Sequence, residues 1–165
     1  MLIEDVLQPG LRVVFCGTAL GRTSHRERAY YAHKRNRFWT ILHEAGFTTL
    51  DRPLRPDEYR RAPEFGIGLT DLNKTEFGND HELTRSAYDA AGLRRKIDAC
   101  QPGVLAFTSK SAGKAFCGSR AELGWQAQTI GETRLYVLPS TSPAAQWQWA
   151  GLVHHWHALA EVLRS

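Results

Sequence analysis

At 165 residues, with 42% hydrophobic and 23% charged residues, the chain has room for one compact domain with a real core and is short for two. No apolar run approaches the roughly 18 to 20 residues of a membrane helix, and the acidic start Met1-Leu-Ile-Glu-Asp5 lacks the regions of a secretory signal, so a cytoplasmic protein is expected. Net charge is +4, weak support for a nucleic-acid partner, and the scattered Cys16, Cys100 and Cys117 give no sign of a metal or cofactor site.

Arg12–Cys16 reads as a buried strand that runs into Gly17-Thr-Ala-Leu-Gly21, a loop whose glycines let backbone approach a ligand. Arg22, Arg26, Arg28, Lys34, Arg35 and Arg37 follow within sixteen residues, with Tyr30 and Tyr31 between them. That interleaving suits phosphate contacts beside a base-stacking surface, and suits a solvated loop equally well. Asn36–Ala45 predicts a helix with Phe38, Trp39, Ile41, Leu42 and Ala45 inward, closed by Gly46. A short helix from Pro56 and a strand over Phe65–Leu72 come next, then the long polar loop Asn73–His81, of a length that is often functional. Thr84 is read as the cap of a short turn and Asp89–Ala99 as a helix. Val104–Phe107 is a strand, Ser111–Phe116 a short helix closed by Gly118, and Arg134–Leu138 a further strand. Pro139–Pro143 breaks regular structure before an amphipathic helix from about Ala145 to Leu163, where His154, His155 and His157 read as a wet helix face rather than metal ligands.

Strands alternating with helices predict a three-layer α/β/α domain over residues 1–165 with a mostly parallel sheet of four to five strands. Ligands of such sheets sit beyond the carboxyl ends of the strands. The segments Gly17–His33, Asp71–His81, Thr108–Lys110 and Ser140–Ala145 are therefore expected to converge.

Seven matches occur in order between residues 4 and 160: Asp5–Gly17, Ala32-His33, Asn36–Trp39, Ala45-Gly46, Gly66–Asp71, Gln101-Pro102 with Ala106–Lys110, and Val137–Ser142. Together they resemble the mismatch-specific uracil-DNA and thymine-DNA glycosylases of the uracil-DNA glycosylase superfamily. The resemblance implies hydrolysis of the bond between a flipped base and its sugar, without metal or cofactor. Its partner would be DNA carrying uracil or a related damaged base, the chain acting as a monomer on the nucleoid. Tyr31 would stack on the base, or else serve as a core or rim tyrosine, and Gly17, Thr18 and Ser109 would complete the base pocket. Arg22, Ser24, Lys110, Ser140, Ser142, Ala144 and Gln146 would face DNA.

Two departures from the family pattern matter. The family's water-positioning Asn is replaced by Ala19, whose methyl group makes no hydrogen bond. Asp71, at the end of a buried strand, is the first candidate to take over, and Asp80 the second; each has a plain alternative as a loop anchor or turn residue. In the last motif Ala144 replaces an intercalating Leu and Gln146 an Arg that probes the widowed base, so selectivity for the opposite base should be loose. Three functions stay in competition: a monofunctional glycosylase, a binding module of the same fold that lost hydrolysis with the Asn, and an unrelated α/β hydrolase or nucleotide-binding protein. The last lacks any Gly-x-Ser-x-Gly, phosphate-loop or dinucleotide fingerprint. Release of free base separates the first two.

Overall fold

Five short strands form one sheet: β1 (Val13–Gly17), β2 (Ile67–Asp71), β3 (Val104–Phe107), β4 (Gly124–Ile130) and β5 (Thr133–Val137), in the order β2-β1-β3-β5-β4. All neighbours pair in parallel except β4, which runs antiparallel along β5 at one edge. This computed structural model describes residues 2–164; Met1, where the N-terminal expectation begins, and Ser165, the end of the expected domain, lie outside the described residues.

The parallel strands read as continuous apolar runs because helices cover both their faces. On one face Val13, Phe15, Ile67, Leu69, Val104, Ala106 and Tyr136 pack with α2 (Phe38–Glu44) and the C-terminal α6 (His154–Arg164). On the other, Val14, Cys16, Leu105, Phe107, Leu135 and Val137 meet α3 (Ala90–Cys100) and α4 (Lys110–Cys117). This is the expected three-layer α/β arrangement. Local chemistry sets the helix starts: Asn36 accepts the Phe38 N–H, Asp89 accepts that of Gly92, and Ser109 that of Ala112.

Several boundaries differ from the sequence expectation. Residues 22–27, read as loop, form the short helix α1 (Arg22–Glu27), which ends with Arg28 in the left-handed region. Pro56–Phe65 is a ten-residue 3-10 helix, so Phe65 closes a helix instead of opening β2. Thr84 precedes a 3-10 turn at Arg85–Ala87, but its hydroxyl accepts no N–H of the turn and instead donates to Glu76. β4 has no counterpart among the expected strands: it sits at the sheet edge largely in solvent, so its sequence is polar and carries no apolar strand pattern. The expected helix from Ala145 to Leu163 is three pieces: a 3-10 helix at Pro143–Gln148, α5 (Trp149–Leu152) and α6.

Trp156 fastens the last helix to the sheet. Its ring is fully buried, lies 5.7 Å from that of Phe15 between centroids, and donates its indole N–H to Pro139 O at 3.1 Å. Trp156→Ala is expected to cost about 3–5 kcal/mol, the usual range for a buried tryptophan. Urea unfolding followed by circular dichroism measures that loss; a cost below about 1 kcal/mol would mean the helix is not docked as described.

Candidate functional site

Register decides which residues meet at the carboxyl ends of the strands. Gly17 pairs with Asp71 across β1 and β2, and Phe15 with Ala106 across β1 and β3. With side chains alternating along each strand, Gly17, Asp71 and Thr108 fall on the same face. A β-carbon built on Gly17 would stand 2.8 Å from Asp71 Oδ1, 3.3 Å from Tyr31 Oη and 3.4 Å from Thr108 Oγ1. Glycine is thus needed at position 17 by close approach. The four residues surround one point at the ends of three adjacent parallel strands. Because β2 and β3 flank β1 on opposite sides, this point is also where the chain order reverses, the usual ligand crevice of such sheets.

Tyr31 holds a left-handed backbone, φ 53°, which costs an L-residue roughly 1–2 kcal/mol. Two contacts keep it there. Its ring stacks on Phe38 at 3.8 Å between centroids, and its hydroxyl shares a 2.9 Å hydrogen bond with Thr108 Oγ1. Burial and the neighbouring Asp71 charge push the Tyr31 hydroxyl well above its ordinary range, so it remains a neutral O–H.

Asp71 is 5% exposed, and its Oδ2 is buried without a hydrogen-bond partner. Burial lifts its carboxyl to about 7. The Lys74 ammonium opposes that rise, the Asp5 carboxylate adds to it, and a Gly17 backbone hydrogen bond and the Lys96 charge pull it down. Lys74 and Lys96 cannot neutralise Asp71 fully because both are committed to Asp5, at 2.9 and 2.6 Å. Asp5 also accepts the Thr70 hydroxyl at 2.7 Å, and these bonds hold it below the usual carboxylate range despite its burial.

The loop after β1 is strapped to the loop after β2. Asn73 N–H donates to Thr18 O and Gly78 N–H to Leu20 O, both at 2.8 Å, while Thr18 Oγ1 donates to Asp80 Oδ1 at 2.8 Å. His25 stacks on Phe77 at 3.9 Å, and Arg22 pairs with Glu82. Asp80 is therefore exposed and engaged with Thr18, whereas Asp71 lies inside the strand-end cluster. Ala19, in the loop that follows β1, is half-buried.

The other residues singled out in the sequence fall in several places. Ser24 is buried, and its hydroxyl accepts the Ala32 N–H at 2.9 Å; it anchors the Tyr31 segment from inside instead of facing DNA. Ser109 turns away from the cluster to cap α4, and it is Thr108 that enters, a position the two-residue period of β3 already marked. Arg22 is neutralised by Glu82, and Lys110 lies 3.1 Å from Glu122 at the surface. Ser140 and Ser142 accept the backbone N–H groups of Ser142 and Ala144, shaping the last motif, where Ala144 and Gln146 are exposed. Among the described residues no three His, Cys, Asp or Glu side chains gather as a metal site. A separate open cleft of about 710 Å³, with Arg94, Asp98, Phe116 and Ile130 in its walls, shares no residue with the strand-end cluster.

A family model described as the uracil DNA glycosylase superfamily matches residues 4–162. The chain belongs to that superfamily. Its fold is also that of a solved structure, the solution NMR structure of a uracil DNA glycosylase candidate from Methanosarcina acetivorans. That protein is 21% identical, with a TM-score of 0.72, and the match covers 99% of this chain and 97% of that one.

The buried carboxyl has a thermodynamic signature. Because its folded pKa is raised to about 7, Asp71 favours the native state in acid, and that contribution is lost as pH rises from the unfolded value through about 7. Asp71→Asn removes the titration, so it should raise Tm by several degrees at pH 8 and by much less at pH 5. An equal effect at both values, measured by differential scanning calorimetry, would place the carboxyl in water.

Proposed function

We propose that this member of the superfamily excises uracil and related deaminated bases from DNA by a water-directed mechanism, leaving an abasic site with the backbone intact. It would fall with the mismatch-specific and thymine-DNA glycosylases on the strength of the motif order. The observation that carries the proposal is the buried, unpartnered Asp71 carboxylate oxygen beside Gly17, Tyr31 and Thr108. A pocket that lacks the family Asn at Ala19 needs another acceptor to hold water, and the unpartnered Asp71 oxygen beside Gly17 supports that role.

The extruded nucleotide enters the strand-end crevice, its base against Tyr31 and its edge toward the backbone near Thr18. Asp71 accepts a hydrogen bond from a water molecule on the far side of the sugar and takes its proton as oxygen bonds to C1′. The bond from C1′ to the base nitrogen breaks, and the base leaves with the electron pair and is then protonated. A carboxyl poised near pH 7 is half-ionised there, so it acts as a base without holding its proton too weakly. Its negative charge also favours the positive character that develops on the sugar. Such poise comes at the expense of native stability, as expected of a group kept for chemistry rather than folding.

Asp71→Asn should slow single-turnover release of uracil by about 10²-fold or more, while Asp80→Ala, which frees Thr18, costs less. The wild-type rate should rise with pH and level off above about 7. Full activity in Asp71→Ala would overturn the assignment, and binding of uracil DNA without any product would favour a recognition module instead. Tyr31→Ala should weaken productive binding by about 1–3 kcal/mol, the worth of one base–aromatic stack. Alkali-dependent cleavage of a uracil oligonucleotide is the readout for all three.

A further inference from the structure

The basic excess of this chain is confined to two stretches. From Arg28 to His43 and from Thr133 to Ala160 there is no Asp or Glu, and the two contain five Lys and Arg. The rest of the chain has sixteen Lys and Arg against seventeen Asp and Glu, so it carries no positive excess at all. These stretches are distant in sequence but touch in space. Arg37 N–H donates to Thr141 O at 3.1 Å, and the Arg37 guanidinium lies 5.5 Å from the centre of the Trp149 ring. Lys34 and Arg35 are exposed and form no ion pair among the described residues. The segment 138–149 leaves the carboxyl end of β5, the same end of the sheet as Asp71.

Trp147 stands out on this surface. It is 84% exposed, whereas Trp39 and Trp156 are 5% and 0% exposed. An indole left in water forgoes one of the largest burial gains a side chain offers. It is also not on a loose tail: the 3-10 helix Pro143–Gln148 that carries it begins with a proline and is capped by Ser142. A solvated aromatic on a capped turn, two residues from the Trp149 ring that Arg37 approaches and in a stretch without Asp or Glu, fits one occupant well, a negatively charged strand with unstacked bases.

We infer that Trp147, with Lys34, Arg35 and Arg37, forms a strand-binding track in which the Trp147 ring stacks on a base neighbouring the extruded nucleotide. This rests on the site taking DNA, as proposed above. Ala144 offers only a methyl group toward a vacated stack, and the track assigns base contact to a side chain three residues further on. Stacking on a neighbouring base is insensitive to its identity and does not require a second strand. The track therefore makes single-stranded DNA a good substrate and leaves the opposite base unread.

The test uses the full chain and a fluorescein-labelled single-stranded oligonucleotide without uracil, titrated by anisotropy at several salt concentrations. Trp147→Ala should weaken binding tenfold or more with the salt slope unchanged, and Trp147→Phe should restore it to within about threefold of wild type. The double variant Arg35→Gln with Arg37→Gln should lower the slope of log K against log salt by about 1.4, near 0.7 for each lost phosphate contact. Binding by Trp147→Ala within twofold of wild type overturns the track. So does a wild-type dimer that becomes monomeric in Trp147→Ala while DNA affinity stays the same, since Trp147 would then be a contact between copies. Uracil release in parallel separates the two proposals. Trp147-dependent binding without release refutes excision and upholds the track, whereas release and binding unchanged in Trp147→Ala refute the track alone.

Discussion

The parallel pairing of β1 with β2 sets Gly17 directly beside Asp71, and the candidate site is organised around that contact. Taking a carboxylate out of water is costly unless it is paired. Here the two nearest ammonium groups are held by Asp5, so one oxygen of Asp71 has no partner and the proton is retained to about pH 7. A side chain at position 17 would collide with the carboxylate, so the arrangement needs glycine at the strand end as much as it needs the acid. The compensation lies in the core, where Phe38 and Phe47 meet Phe15 ring to edge and Trp156 stacks on Phe15, all on the same face of the sheet.

Rigidity around this point comes from pairs of loops rather than from any single one. The segment after β1 lies on the segment after β2 through backbone bonds, the Thr18–Asp80 bond and the His25–Phe77 stack. Tyr31 is held in a disfavoured backbone region from two sides, by Phe38 and Thr108, with Ser24 pinning the next residue from within. Strain of this kind persists only where surrounding structure over-determines it, and it tends to mark places where a ligand is received. The same contacts explain why Asp80 and Asp71, equivalent candidates by type, differ in kind: one is a surface residue bonded to a threonine, the other is a buried acid.

Charge is distributed with equal economy. Around Glu58, cations and anions pair at the surface: Arg52, Arg55 and Arg61 all approach it. Arg22 is likewise spent on Glu82, whereas Lys34 and Arg35 are exposed and form no ion pair among the described residues. Counting basic residues along the chain therefore overstates the contribution of the first few and understates that of Lys34, Arg35 and Arg37, because neutralisation is decided by neighbours from elsewhere in the fold.

Local chemistry in the sequence determined the alternation of strands and helices, the β3 span Val104–Phe107, the glycine closing α2 at Gly46 and the presence of an acid at the end of β2. Hydrophobic period, caps and glycine act over a few residues, so they can be read from a few residues. The alternation itself implied which loops belong together, since ligands of parallel sheets sit beyond the strand ends, and the resemblance to a family added the chemistry to expect there. Only the tertiary structure decided that Thr108 and not Ser109 enters the cluster, that Ser24 is internal, that a polar edge strand β4 exists, and that the final helix is broken before α6. It also decided that Asp71 is unpartnered, since that depends on Asp5 and Lys96, which lie on separate elements and claim the cations Asp71 would otherwise meet. Burial and charge pairing are properties of what arrives from a distance in the chain, and no local pattern of residues encodes them.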